Sequence, residues 1–332
     1  MRNIGILGTG YYLPSKVLTN KELSKIVNTT EEWIYNKVGI KERRIASPQE
    51  ATSDLAIYAA QEAIRNSKIS IEEIDLIILA TSSPDMIQPS TAAIVQGKIG
   101  AINACAFDIS AVCAGFNYAL SVANDMMKSN SHYKKALIIG AETYSRILDW
   151  TDRKTCVYFG DGAGAAILGD VSEKYGIKST NLENDGRGAS VIQFLGGGSR
   201  YPATEETLRK NMHKFEMQGK LVWDFATEAF PNGIKKVLDK SNEKPENLNW
   251  IISHQANINI IKQSMLKLNL PMEKTYTTIE KYGNTSGASV IITLAEANKK
   301  GLLKSGDKIG LISFGGGLSC GAVYLVWGNE NE

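Results

Sequence analysis

Three residues far apart in the chain, Cys113, His254 and Asn284, have the side-chain types of a nucleophile with two hydrogen-bonding partners. Cys113 stands where the strand-like run Cys105-Ala-Phe-Asp-Ile gives way to a helical pattern opening Cys113-Ala-Gly-Phe. At a helix N-terminus, unpaired N–H groups and the helix dipole favour the thiolate, which is the reactive form. His254 follows the apolar run Trp250-Ile-Ile and precedes Gln-Ala-Asn257, at a strand end of the kind that delivers functional groups in α/β sheets. Asn284 lies in Gly283-Asn-Thr-Ser-Gly287, where the flanking glycines leave room for a ligand at a second helix start. Phe314-Gly-Gly-Gly317 completes the set, because N–H groups of a glycine turn after a strand can face an oxyanion. Each motif also has a plainer reading. A free cysteine is most often a small buried hydrophobe, polar residues at helix starts are most often caps, and three glycines make a turn. Taken together they describe an enzyme that uses a thiol.

Other chemistries find less support. Gly8-Thr-Gly10 lacks the third glycine of a dinucleotide fingerprint, since position 13 is Leu, and no P-loop lysine occurs. Gly160-Asp-Gly-Ala-Gly164 reads as a hairpin turn with close strand packing. The four cysteines lack zinc-site spacing and are too sparse for a disulfide scaffold, so no metal site is expected and a reducing compartment fits. Cys105, Cys156 and Cys320 are read as packing residues, and His132 and His213 as surface residues. A net charge of +2 makes no case for nucleic acid. With no signal peptide and no apolar run near the ~20 residues of a span, a cytoplasmic protein without a membrane partner is expected.

The elements that would position these residues alternate between strand and helix periods, as in an α/β protein. Strands are predicted at 3–9, 74–80, 104–109, 135–141, 163–169, 248–253, 308–314 and 321–327. Helices are predicted at 52–66, 114–128, 224–240, 256–268 and 286–299. The order recurs: Ile74–Ala80 resembles Leu248–His254 at an offset of 174, and Ala136–Gly140 resembles Gly310–Phe314 at the same offset. The helix from Gly115 resembles that from Gly287 at an offset of 172. Three matches in one order suggest an internal duplication. Residues 1–173 form one half and 174–332 the other, with a loop-rich insertion at about 181–222 lying over the site. Cys113 and Asn284 then open equivalent helices, one in each half.

The ordered motifs resemble those of the β-ketoacyl-acyl-carrier-protein synthase III family of the thiolase superfamily. They are Thr30-Glu-Glu-Trp33-Ile, Gly39-Ile-Lys-Glu-Arg43, Cys113-Ala-Gly-Phe, Thr151-Asp-Arg153 and Phe159-Gly-Asp-Gly-Ala-Gly164. His254-Gln-Ala-Asn257, Gly283-Asn-Thr-Ser286 and Phe314-Gly-Gly-Gly317 follow. The resemblance runs essentially end to end. It implies a thiolase-like five-layered αβαβα fold with internal duplication, and a decarboxylative Claisen condensation of an acyl-CoA primer with a malonyl thioester through an acyl-Cys113 intermediate. By the same resemblance Cys113, His254 and Asn284 are catalytic, the Gly316 N–H completes an oxyanion hole, and Phe314 walls the departing carboxylate. Trp33, Lys37, Arg153, Gly219 and Asn257 fall at coenzyme A-binding positions, and Gln88 and Leu318 at the acyl pocket. No cofactor is implied, since acyl-CoA is a substrate. An acyl carrier protein and a second copy of the chain are implied partners.

Ser313 occupies the place of the second cysteine of degradative thiolases, which favours loss of CO₂ over proton abstraction. Asn259 and Asp224 stand where relatives carry basic residues for carrier docking, and Lys220, Lys262 and Lys267 are candidates to compensate. Gln88, where many relatives have an aromatic, leans the reading toward a roomier or branched-chain pocket. The alternative is a condensing enzyme or acyltransferase of specialised metabolism; a non-catalytic homologue is the least favoured.

Overall fold

A computed structural model describes residues 2–328 of the chain. Strands β1 (Ile4–Tyr12), β2 (Leu76–Ala80), β3 (Cys105–Ile109), β4 (Ala136–Glu142) and β5 (Gly162–Asp170) form a sheet in the order β1-β5-β4-β2-β3. β2 is parallel to β3 and β4, and β5 is antiparallel to β4 and β1. A second sheet holds β6 (Gly176–Asn184), β7 (Trp250–Ser253), β8 (Lys308–Gly315) and β9 (Ser319–Val326) in the order β6-β9-β8-β7. Each strand of the second sheet repeats the place and direction of one in the first. The position of β3 is held there by a single parallel bridge from Ile251 to Thr275.

α1 (Glu31–Val38) packs in a side cluster with Leu23, Ile40 and Val157, and the other helices fill three layers: α2 (Thr52–Ser67), α3 (Thr91–Ile99), α4 (Gly115–Ser129), α5 (Gly219–Asp239), α6 (Ile258–Lys267) and α7 (Ser289–Lys299). The strand alternation sorts the layers. Ile77 and Leu79 face outward onto Leu55, Ala59 and Ala63 of α2 and Val95 of α3. Ile78 and Ile138 face inward onto Phe116 and Leu120 of α4 and Val290, Ile291 and Leu294 of α7. The far side of those two helices is covered by Ile252, Leu311 and Val323 of the second sheet. Outside that sheet, Ile251, Ile312 and Phe314 pack on Phe230 and Ile234 of α5 and Ile261 and Met265 of α6. The result is the five-layered αβαβα architecture. Strands covered on both faces read as unbroken apolar runs, which is why they were legible.

Several sequence expectations are corrected. β6 falls in the stretch Gly176–Asn184, whose second half was assigned to the loop-rich insertion; it is an edge strand with a half-polar face. The rest of the insertion pairs Ile192–Phe194 with Phe215–Met217 and carries a short helix, Glu205–Arg209. α5 starts at Gly219, five residues before the predicted 224. Gly160 makes no hairpin turn: its N–H donates to the Asn284 carbonyl at 3.0 Å, and β5 begins two residues on. Cys105 is exposed at the open edge of the first sheet, and His213 is half-buried. Gly8 and Gly10 act in packing: a Cβ on Gly10 would lie 2.4 Å from the Ala63 nitrogen of α2. No helix among the described residues is long and apolar enough to cross a membrane.

Candidate active site

α4 and α7 run side by side between the sheets, and each is preceded by one 3₁₀ turn: Val112–Ala114 and Ser286–Ala288. The two turns share an unusual backbone. Val112 and Ser286, 174 residues apart, both have φ of 46°, a left-handed value that is costly for a β-branched valine. A Cβ on Gly287 would lie 3.0 Å from the Val112 carbonyl, so the turns touch. That contact brings Cys113 and Asn284 together. Cys113 Sγ lies 3.4 Å from Ser286 Oγ. The Ser286 N–H donates to Asn284 Oδ1 at 2.8 Å, which fixes the amide flip and leaves its NH₂ to donate to a ligand. The Asn284 backbone is clamped as well, its N–H donating to the Tyr158 carbonyl at 2.8 Å.

His254 arrives from the end of β7, its N–H donating to the Ile312 carbonyl at 2.8 Å. Its Nδ1 meets Ser289 Oγ at 2.6 Å, and that same oxygen accepts the Gln255 N–H at 3.3 Å. Ser289 Oγ already accepts from Gln255, and donating its own proton to Nδ1 satisfies this buried hydroxyl, which assigns the ring proton to Nε2. Phe314 packs edge-on against the ring at 5.3 Å. Burial pushes the imidazole down to about 3. His254 is therefore a neutral Nε2–H donor.

Cys113 departs from its sequence expectation. The helix end favours thiolate, yet burial pushes the thiol up to about 12, and the nearby Glu142 carboxylate adds to the rise. Burial thus sets the resting balance toward the thiol.

All three side chains line one cavity of about 650 Å³. Phe314 and Gly315 line it beside Cys113, and a Cβ on Gly315 would sit 3.0 Å from the sulfur. Trp33, Lys37, Arg153, Gly219 and Asn257 line the same cavity. The Arg153 guanidinium lies 4.9 Å from the Trp33 ring centre, and the Lys37 carbonyl accepts from the Asn257 and Asn259 amides at 3.2 and 3.1 Å. Three expected residues fall outside the lining. Gly316 follows Gly315 into the turn and packs near Ile192 and Val112. The Leu318 side chain covers Gly188, and Gln88 is exposed on the loop after β2. Sequence reasoning missed Ile192, Phe215, Met217 and Trp223 in the lining. The alternation in Phe215-Glu-Met217 was the available signal.

This five-layered α/β architecture with paired inner helices is the thiolase fold. A profile described as 3-oxoacyl-[acyl-carrier-protein (ACP)] synthase III matches residues 107–186, and its C-terminal counterpart matches 238–327. A β-ketoacyl-[acyl-carrier-protein] synthase III of Caldanaerobacter subterraneus is 48% identical over 97% of this chain and 97% of its own length. The 3-oxoacyl-[acyl-carrier-protein] synthase III of Aquifex aeolicus superposes with a TM-score of 0.91 at 44% identity, covering 98% of this chain and 100% of the other. A priming β-ketosynthase of the R1128 polyketide pathway gives 0.92 at 31% identity, covering 99% of this chain and 97% of the other. The chain belongs to the β-ketoacyl-[acyl-carrier-protein] synthase III family.

Proposed function

We propose that the enzyme condenses an acyl-CoA primer with a malonyl thioester on acyl carrier protein, with Cys113 carrying the acyl group. The observation that carries this reading is one cavity floored by a thiol, a fixed Nε2–H donor and a fixed amide donor. Cys113 attacks the thioester carbonyl, and the N–H groups of Cys113 and Gly316 meet the oxyanion, each worth about 3–4 kcal/mol in comparable sites. Coenzyme A leaves and the malonyl thioester enters. His254 Nε2–H and the Asn284 NH₂ donate to its carbonyl and stabilise the enolate as CO₂ departs past Phe314. The carbanion attacks acyl-Cys113 and releases the β-ketoacyl product. Trp33 and Arg153 hold the nucleotide end by stacking and charge.

We read residues 1–173 and 174–332 as the duplicated halves; the repeated strand order and the 174-residue spacing of the two turns support this. A homodimer paired through β3 belongs to the same reading. Its support is an open strand edge with Ile102, 78% exposed, and Ile87, 81% exposed, on neighbouring loops. Gln88, exposed beside Ile87, would then reach a pocket only across such an interface.

A second reading, priming of a specialised pathway, is favoured by the R1128 relative and by the docking charges. Lys220 is held by Asp224 at 2.8 Å and Lys267 by Glu228 at 2.5 Å, so two of the three compensating lysines are neutralised. Incubation with acyl-CoA and malonyl-carrier protein tests both. CO₂ release with a β-ketoacyl product supports condensation; acyl transfer without CO₂ sinks it. Intact mass must show one acyl group on the wild type and none on Cys113→Ala.

A further inference from the structure

The acyl group of a donor thioester has one direction left to it once coenzyme A fills the cavity from its mouth. Trp33 and Arg153 are exposed and mark that mouth, whereas Phe159 and Phe215 are buried and mark the inner end. Phe159 stands beside Asn284 in a parallel bridge: the Asn284 N–H donates to the Tyr158 carbonyl at 2.8 Å, and the Gly160 N–H donates to the Asn284 carbonyl at 3.0 Å. Phe215 meets Phe159 edge to face, with ring centres 5.0 Å apart. Tyr144 stands one layer behind both. Its ring stacks on Phe159 at 4.7 Å and 18°, and meets Phe215 edge-on at 5.4 Å. Each ring touches the other two and all three are buried, so the inner end is shut by ring on ring. The backbone around Tyr144 is pinned on both flanks. The Thr143 N–H donates to Ser83 Oγ at 2.9 Å, and the Ser145 N–H and Oγ donate to the buried Asp161 carboxylate at 2.9 and 2.5 Å. The far end of the ring is tied as well, the Tyr144 hydroxyl meeting Ser82 Oγ at 3.0 Å. A ring packed on two others and tethered at both ends is a fixed wall rather than a swinging one.

We propose that Tyr144 sets the length of the acyl group that Cys113 can carry: its ring braces Phe159 and Phe215 as a stop and restricts the primer to short chains. Phe159 and Phe215 make the contact with the acyl group. Tyr144 touches no substrate and is a positioning residue. A chain that outgrows the space must push Phe159 off Tyr144, and overpacking a buried aromatic cluster costs more than the added contacts return. The stop also runs against the roomier pocket that Gln88 suggested, because Gln88 lies exposed on the loop after β2 while the three rings lie in the interior.

This inference rests on the proposed acylation of Cys113, and its test separates the two. The enzyme is given acetyl-, butyryl-, hexanoyl- or octanoyl-CoA without a malonyl thioester, and the rate of mass gain on Cys113 is followed by intact mass. In the wild type acetyl and butyryl groups should load readily, and hexanoyl and octanoyl groups at least about fiftyfold more slowly. Tyr144→Leu leaves room for Phe159 to tilt back and should raise the hexanoyl-to-acetyl rate ratio about tenfold or more. Tyr144→Phe keeps the ring and should hold the ratio within about threefold of the wild type. The ratio is the readout because a loss of stability alone lowers both rates together. Should the leucine variant not fold, Tyr144→Met fills the space with a flexible chain and should move the ratio in the same direction. Octanoyl loading as fast as acetyl in the wild type, or a ratio unmoved in the folded leucine or methionine variant, would overturn the stop and leave acyl-Cys113 standing. No mass gain from any of these donors would overturn the proposed function and the stop with it.

Discussion

Replacing Ser289 by Ala removes the hydroxyl that meets His254 Nδ1 at 2.6 Å, and the imidazole is then free to put its proton on either nitrogen. Malonyl decarboxylation should fall about tenfold to a hundredfold while Cys113 acylation is retained, measured as CO₂ release against intact mass. His254→Ala and Asn284→Ala should show the same split more strongly, each losing about a hundredfold or more in decarboxylation. Normal decarboxylation in either would show the roles to be misassigned. The two buried titratable groups act on stability with opposite signs. Glu142, raised from 4.5 to about 7, holds in the folded state a proton that the unfolded chain has released. Its contribution is present below about pH 4.5 and lost as pH rises through about 7. His254, lowered from 6.5 to about 3, contributes stability above about pH 6.5 that is lost as pH falls toward 3. The Tm of Glu142→Gln should therefore decline less than that of the wild type on going from about pH 6 to about pH 8. Cys113, His254 and Asn284 were legible because each ends an apolar run or opens a helix beside glycine. Ser286, Ser289 and Glu142 were not, because serine at a helix start reads as a cap, and a strand-end glutamate reveals its partners only through contacts some 60 and 145 residues away.

The two 3₁₀ turns are set by what lies beneath them. Gly140 of β4 supports the Ser286–Ala288 turn closely enough that a Cβ there would sit 2.7 Å from the Gly287 carbonyl. Gly140→Ala must lift that turn or bend the strand, so kcat should drop about tenfold or more while the far-UV CD spectrum stays native. Gly10→Ala presses on α2 on the outer face, remote from the cavity, with its Cβ 2.4 Å from backbone. It should cost about 1–3 kcal/mol or more in urea unfolding and leave kcat of the folded fraction unchanged. The strands buried on both faces, and the helices on either side of them, could be read from the sequence because one period dominates each. β6 could not, since Gly176-Ile-Lys-Ser-Thr-Asn-Leu-Glu-Asn has one polar face and takes its place from pairing with β9. The wall formed by Ile192, Phe215 and Met217 stayed hidden for a similar reason. Two three-residue strands make it, and their register is set by partners about 20 residues apart.

At the scale of the whole molecule, a net charge of +2 and the ion-paired Lys220 and Lys267 leave little field to steer an acidic carrier. The KM for malonyl-carrier protein should change less than about threefold between low and moderate salt. Asp224→Ala, which releases Lys220, should lower that KM and make it salt-sensitive. The inner layer has a further consequence. Phe116 and Leu120 from one repeat and Val290, Ile291 and Leu294 from the other share a single interior, roofed on both sides by strands of opposite origin. Each repeat has its own core between its sheet and its outer helices, but the inner layer is common to both, so a lone repeat would expose that apolar face. Cutting the chain between Val171 and Tyr175 and expressing the pieces apart should give two aggregating fragments, and only co-expression should return a soluble, thiol-reactive particle. An ancestor built from one repeat would therefore have lived as a pair, and fusion made permanent a partnership on which the chemistry already depended.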